Sequence, residues 1–424
     1  MTHVSNSTPD VIIVGGGPAG SSAAFALAQA GARVVVLERA AFPRAKPCAE
    51  YLSPQASRIL AAMGALDAVE RAGAAHLAGM VVRAPNGTTL RGDFVAQHGF
   101  RAYRDRGLAL RRTRLDPILL DCARQAGADV REESHVVDIL RDASGRATGV
   151  ELLAENGSRR TLSASCVIGA DGLRSVVARR LGLARSSRLW PKRIALVAHF
   201  EEFGGVGAWG EMHVERDVGY VGLAAVDEGL TNVAMVVPAS AGREIAIDRD
   251  GFLERWLRAR PQLEPRVRAA RRVSPVMVTG PFASHARRAW APGAALVGDA
   301  ADFFDPFTGE GVYAALRGGE LLAPHVIAAL GSASVKESNA ALAAYDRARR
   351  DEFRGKWIVE RLINAAVQHA PAINHFARVL EARKDMADLL VGVTGDFVPP
   401  RAVLRPGYLF NLLRQPARPA ASQQ

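Results

Sequence analysis

Residues 10–20 read DVIIVGGGPAG. The apolar, β-branched run Val11–Val14 spells a buried strand, and the glycines that follow break it sharply. Gly15, Gly17 and Gly20 fit the spacing of a dinucleotide-binding turn. The first glycine permits the tight turn, the second lets the backbone approach a pyrophosphate, and the third allows helix and strand to pack closely. Pro18 and Ala19 open the helix, whose free N–H groups and positive end face phosphate charge. Its helical pattern runs to Gly31, and a second strand, Arg33 to Leu37, ends at Glu38 with Arg39 beside it. A carboxylate there accepts both ribose hydroxyls of an adenosine, which favours FAD or NAD over a 2′-phosphorylated cofactor.

The spacing alone is cheap. Gly205, Gly207 and Gly210 fit it too, but Gly210 runs into the strand-like Met212–Glu215. No strand–helix unit surrounds them, so no second nucleotide fold is expected.

At 424 residues the chain exceeds one ordinary core, and two domains plus a tail are expected. Its apolar runs are short and broken by Gly, Pro or Arg, so no transmembrane span is predicted. The early apolar segment lacks a basic leader and reads as a strand, which implies a cytoplasmic protein. Three cysteines, Cys48, Cys122 and Cys166, form neither a zinc pattern nor a disulfide framework. Cys122 and Cys166 read as core residues. The histidines lack metal spacing, no Gly-x-Ser-x-Gly elbow exists, and no metal is expected. The net charge of +11 comes from a chain with only five lysines and 49 arginines, scattered rather than gathered with aromatics. Nucleic-acid binding is not expected.

Further along, residues 53–73 look helical and 79–110 strand-like around Pro85-Asn86-Gly87. A helix from about Asp116 to Ala126 precedes Ala128–Ile139 and a hairpin near Asp142–Gly145. Residues 194–240 alternate short strands with glycines, as in an antiparallel sheet. After a helical stretch at 248–272, the strand Ala294–Val297 leads to a long helix from about Gly311. From Ser338 the pattern is helical and basic, ending in a loose Pro-rich tail.

Two more motifs separate FAD from NAD. Residues 167–175 read VIGADGLRS, and residues 296–311 read LVGDAADFFDPFTGEG. With the glycine loop ahead of them, the chain resembles the group A flavoprotein monooxygenases and, more closely, their geranylgeranyl reductase-like branch, from about residue 10 to 410. The resemblance implies a para-hydroxybenzoate hydroxylase-like α/β fold. A Rossmann-type FAD domain (1–76, 105–190 and 283–335) would carry an antiparallel-sheet substrate domain (77–104 and 191–282). A helical C-terminal region with its tail would follow (336–424).

It also implies cofactor contacts. Gly298 leaves room for FAD and Asp299 accepts from a ribityl hydroxyl. Pro306, Gly309, Gly311 and Val312 belong to a turn and helix start facing the flavin pyrimidine edge, where the helix dipole stabilises the reduced state. Asp171 and Gly172 lie at the pyrophosphate, and Arg112 of the RRTRLD segment reaches the phosphate and ribose side. The hydroxylases usually place Arg three residues after the motif Ser; Ala178 stands there, which turns the reading toward the reductase-like branch.

On the substrate side, residues 42–54 read FPRAKPCAEYLSP, similar to a Phe-Pro-Arg-x-Lys-x-Cys loop near the flavin. Cys48, Glu50 and Tyr51 are the catalytic candidates, Glu50 as proton donor and Tyr51 as aromatic wall. Otherwise Glu50 serves as an ion-pair partner of Arg44 or Lys46. Prenyl reductases carry Tyr-x-Trp-x-Phe-Pro in the sheet domain; Tyr220–Ala225 keeps only the Tyr, and Tyr220 and Gly222 are expected to line the substrate site. The Trp-x-Trp-x-Ile-Pro signature of flavin halogenases is absent. The amphipathic segment Phe353, Trp357, Ile358, Arg361, Leu362 is a candidate for peripheral membrane contact or for packing on the parent domain.

These readings imply an FAD-dependent oxidoreductase on a lipophilic aromatic, quinol or polyketide-like molecule. Hydroxylation with transient NAD(P)H is the first reading and reduction of a carbon–carbon double bond the alternative. Halogenation and a non-enzymatic flavin protein are remote ones. No oligomeric state follows.

Overall fold

The computed structural model describes residues 8–186, 192–216, 219–282 and 284–414. The expected domain boundaries at 190–191 and 283 and the Pro-rich tail beyond Arg414 lie outside these residues.

Four runs of consecutive buried residues, Val11–Val14, Val34–Leu37, Cys166–Gly169 and Ala294–Leu296, pair in parallel at the centre of a six-stranded sheet. Such uninterrupted apolar strands belong in a parallel sheet covered on both faces. Asp129–Arg131 adds a parallel edge and Trp290–Ala291 an antiparallel one. The helix Pro18–Gln29 packs along the helix Gly311–Leu330, so the two cofactor motifs enter the core side by side. Cys166 and Cys122 are buried core residues. This is the Rossmann-type unit, with the hairpin sheet His135–Ser163 beside it.

The second unit is an eight-stranded sheet in which Arg193–Glu201, Thr231–Pro238, Gly219–Ala225 and Trp209–Glu215 follow one another antiparallel. It is not wholly antiparallel: Trp209–His213 pairs in parallel with Gly79–Arg83. The hairpin Gly79–Asp93, turning at Ala84–Thr88, reaches this sheet from a distant part of the chain and docks onto its edge strand. The decoy glycine Gly210 lies inside Trp209–Glu215.

The long helix Val335–Val367 begins three residues before Ser338. Ser334 accepts the Glu337 N–H at 3.2 Å, and Glu337 reaches back to the Ala333 N–H at 3.1 Å. That Ser-x-x-Glu box is a start signal written in the sequence. The helices Ala370–Ala382 and Lys384–Thr394 then close over the strand Thr89–Asp93. They come so near that a Cβ on Gly92 would stand 2.4 Å from Val391. In the amphipathic stripe Phe353 is buried and Trp357 half-buried, while Ile358, Arg361 and Leu362 are exposed, Arg361 lying over the Phe304 ring. No described helix is long and apolar enough to cross a membrane.

Candidate active site

The glycine loop is built to approach something closely. Gly15 has φ +105°, and a Cβ there would lie 2.5 Å from the Ala170 carbonyl oxygen. A Cβ on Gly20 would lie 1.9 Å from the Gly15 oxygen, so the helix meets the turn with no room for a side chain. Pro18 and Ala19 form the first helical turn, and Gly298 brings its backbone against Ala19. Glu38 is buried; its carboxylate accepts the Gly16 N–H at 2.9 Å and the Ala40 N–H at 3.1 Å. Arg39 is exposed beyond it.

Three cations converge on this turn, two of them from a loop read only as substrate-side. Around Gly17 the nearest groups to a side chain would be the guanidiniums of Arg44 and Arg112, and beside Gly172 the ammonium of Lys46. Arg44 pairs with Glu38 at 3.4 Å and Asp116 at 3.3 Å, and Lys46 with Asp299 at 3.5 Å. Neither reaches Glu50 in an ion pair, so that alternative for Glu50 is replaced by the contacts described below. Arg112 is buried and grips Asp116 through Nε and Nη2 at 2.6 and 2.8 Å. Burial opposes its charge, but Asp116 and the Cys48 sulfur outweigh it and push the guanidinium up. Positive charge facing a glycine turn suits a pyrophosphate.

Asp171 caps the helix Val176–Arg180 through Oδ2, to the Val176 N–H at 2.6 Å and the Val177 N–H at 3.3 Å. Its Oδ1 is buried without a protein partner, and burial raises its pKa. An unpartnered buried acceptor beside the glycine turn is an observation that fits a bound hydroxyl-bearing cofactor. The residues present therefore fit FAD: Gly15, Gly17 and Gly20 for close approach, Arg44, Lys46 and Arg112 for charge, Glu38, Asp171 and Asp299 for hydroxyl groups.

At the other end, Pro306–Thr308 is a short turn closed by Gly309 at φ +74°, after which Gly311–Leu330 begins. Gly309 lies against the Tyr51 ring, 3.0 Å from where a Cβ would be, while a Cβ on Gly311 would meet nothing within 4 Å. Val312 points into the core. Asp305 holds the turn: it accepts the Phe307 N–H at 3.1 Å, the Tyr220 hydroxyl at 2.6 Å and Arg193 Nη1 at 2.9 Å. Tyr220 is thus buried behind the turn, its ring edge-on to Phe307 at 4.9 Å, and is not in the wall of the cavity that Gly222 lines. Arg193 carried no motif, its signal being a lone arginine heading an apolar strand, and Asp305 stood inside the 296–311 motif without an assigned role.

That cavity, about 50 Å³, lies between the turn and the sheet, walled by Tyr51, Met80, Met212, Leu223 and Phe307, with Asn232 as a polar point. Tyr51 is buried, stacks on Phe94 at 6.3 Å, and its hydroxyl has no protein partner. Cys48 accepts the Glu50 N–H at 3.2 Å. Glu50, at φ +62° and 2% exposed, directs Oε2 to His199 and Asn232, while Oε1 accepts the Arg112 backbone N–H at 3.0 Å. His199 and Asn232 face each other across paired strands. Polar residues inside the apolar runs RIALVAHFE and TNVAMVVP are the signals that could have found them.

Glu360, on the long helix, accepts the Asp305 N–H at 3.0 Å. Burial, with Glu310 and Asp305 close by, pushes it up to about 8. The folded state therefore binds a proton that the unfolded chain releases near pH 4.5, so this group's contribution to stability is present at low pH and is lost as pH rises toward 8. Glu360→Gln should remove that dependence. Denaturant unfolding at pH 5 and pH 9 should show the variant gaining on wild type by roughly 1–3 kcal/mol across the interval.

Fold and site together define a flavin-binding enzyme. The FAD-binding-domain family matches residues 8–354, and the chain belongs to the FAD-dependent oxidoreductases, in their geranylgeranyl reductase-like branch. It is 31% identical over 359 residues to a digeranylgeranylglycerophospholipid reductase of Methanothrix thermoacetophila, covering 83% of this chain and 85% of that one. It is 29% identical to conditioned medium factor receptor 1 of Dictyostelium discoideum over 74% of this chain, and spans 62% of that protein's length. The myxobacterial chondrochloren halogenase superposes with a TM-score of 0.75 at 28% identity, over 83% of this chain and 82% of that one.

Proposed function

We propose that the protein hydroxylates a compact lipophilic aromatic or quinol molecule, using FAD, oxygen and a transiently docked NAD(P)H. The observation that carries this reading is the small, mostly apolar cavity against the Pro306–Gly309 turn, whose lining includes the polar Asn232 and Glu211 and the unpartnered Tyr51 hydroxyl. It is smaller than the ~150 Å³ that holds a benzene ring. At that size it admits only the reacting part of a substrate, and its mostly apolar walls suit a lipophilic one.

When bound, FAD supplies the two-electron chemistry and the reaction with oxygen. The chain's own groups do the rest. The N-terminus of Gly311–Leu330 presents its positive end to negative charge on the cofactor ring. Met80, Met212, Leu223 and Phe307 exclude water, and Tyr51 and Asn232 orient a substrate hydroxyl. Cys48, on the 42–54 loop, lies against Arg112 at the head of the helix Arg112–Gln125.

A second reading, reduction of a carbon–carbon double bond, is favoured by relatives 30–31% identical that are named digeranylgeranylglycerophospholipid reductases. The purified yellow protein should be followed for NAD(P)H oxidation and oxygen uptake against a panel of phenols, quinols and enones. Substrate-stimulated oxygen uptake with an oxygenated product is expected. Anaerobic saturation of a double bond would replace hydroxylation by reduction, and a protein that takes up no FAD would remove both.

A further inference from the structure

At about 50 Å³ the cavity takes the reacting part of a substrate, and the rest of an aromatic molecule needs room that a wall must give up. Most of the wall is fixed. Tyr51 is held between Phe94 and the Gly309 backbone, and Phe307 stands edge-on to Tyr220. Met80 and Met212 are of another kind, unbranched side chains with three rotatable bonds that adapt to what they touch.

Each methionine lies over a glycine of the neighbouring strand. Met80 pairs with Gly210, and its Sδ stands 2.7 Å from where a Cβ on Gly210 would be. Met212 pairs with Gly222, its Sδ 3.1 Å from the corresponding point. Gly222 in turn faces Ala234, and Ala224 faces Asn232. Residues two apart share one face of a strand. The floor beneath the two thioethers is therefore a trough of small residues, Gly210, Gly222, Ala224 and Ala234, that ends at Asn232. Both methionines, both glycines, Ala224 and Asn232 line the cavity.

Filling space does not call for this arrangement. Leucine or valine opposite alanine would close the same gap with less side-chain entropy lost and a better defined rotamer. Neither glycine has a left-handed backbone, so the path of the chain does not require them. What they supply is depth. In the same wall, Tyr51 is 7% exposed and its hydroxyl has no protein partner, a group awaiting a polar atom. Met80 is only half-buried, which leaves it a side toward which to turn.

We propose that Met80 and Met212 are the specificity-determining side chains of this site. They turn out of the trough over Gly210 and Gly222, and the apolar body of a flat, two-ring aromatic or quinol takes their place. The proposal rests on the reading of the cavity as the substrate site. The polar end of the molecule meets Asn232, and its ring edge meets thioether sulfur, a favourable contact.

Phenol and 2-naphthol are the probes, titrated into the FAD-loaded protein by equilibrium dialysis, which reads binding without turnover. Met80→Ala/Met212→Ala should raise the ratio of 2-naphthol to phenol affinity about tenfold, because no flexible side chain has to be displaced and ordered. Gly222→Val should lower that ratio about tenfold by filling the floor. The nearest atom to its Cβ is the Met212 sulfur, the end of a side chain that can yield. Movement is read in protein carrying ¹³C-methyl methionine, with the Met80 and Met212 signals assigned by their loss in Met80→Leu and Met212→Leu. Saturating 2-naphthol should shift both. If the double variant does not fold, Met80→Ala and the wild-type methyl signals decide. Both signals unmoved by bound 2-naphthol, or an affinity ratio unchanged by truncation, would overturn the proposal and leave the cavity reading standing. Binding of 2-naphthol only after truncation would make the methionines fixed filler and overturn it as well. If neither probe binds wild type or variant, the reading of the cavity falls, and the proposal with it.

Discussion

Gly20→Val should abolish FAD binding, weakening it at least 100-fold, or about 3 kcal/mol. A Cβ at this position would lie 1.9 Å from the Gly15 carbonyl oxygen, and that atom is backbone at the tightest point of the turn. The helix Pro18–Gln29 must then move away from Val11–Val14, carrying its N-terminal N–H groups off the pyrophosphate. Gly15 cannot yield, since its φ of +105° and its contact with Ala170 already bind it to the neighbouring strand. Overpacking of this kind also costs about 1–3 kcal/mol of stability. Gly311→Val separates the two effects, because a side chain there meets no protein atom within 4 Å. It should leave the unfolding of the FAD-free protein nearly unchanged while lowering FAD affinity. Titration by flavin fluorescence, with thermal unfolding of the apoprotein alongside, reads both. A Gly20→Val protein that remains yellow at stoichiometric FAD would show that the turn does not carry the cofactor.

Breaking the Arg193–Asp305 pair should cost about 3–5 kcal/mol, because either partner alone leaves a buried charge uncompensated. Their side chains are 8% and 1% exposed, and they join the sheet unit to the Pro306–Thr308 turn. Asp305→Ala should be the worse variant. It removes the acceptor of the Tyr220 hydroxyl and the Phe307 N–H together, and leaves Arg193 with only Asn364 at 3.3 Å. Arg193→Met leaves Asp305 with both of those donors. The apolar double variant Arg193→Met/Asp305→Leu should lose less than the sum of the singles. Urea unfolding gives the cycle, and FAD affinity should fall with Asp305→Ala because the turn loses its cap. Additive losses would show that the pair acts as two independent residues.

The difference between Gly20 and Asp305 marks what could be read in the chain beforehand. Gly20 sits in a motif whose spacing, strand and helix are all local, so its role follows from a few consecutive residues. The places of Glu38, Asp171, Gly298 and Asp299 in the fold were legible for the same reason: each lies where the pattern announces the end of a strand or the start of a helix. Glu50 and Tyr220 were singled out as site residues, but their partners were not. The carboxylate of Glu50 meets His199 and Asn232, which lie 149 and 182 residues away, and Tyr220 meets Asp305 at a separation of 85. Arg44 and Lys46 were read as partners of a neighbour in the chain, although the turn carries them to Glu38 and Asp299.

By itself the sequence determined the Rossmann-type sheet, the glycine turn and the order of the cofactor motifs, because hydrophobic period and turn chemistry act over a few residues. Only the tertiary structure decided which way the buried polar side chains face. That choice is made by the cost of burying a charge or a hydroxyl without a partner, and the partners come from strands and helices that are distant in the chain. The parallel docking of Gly79–Arg83 onto Trp209–His213 belongs to the same class: it needs an edge strand supplied from elsewhere in the chain. The cavity arises at that join.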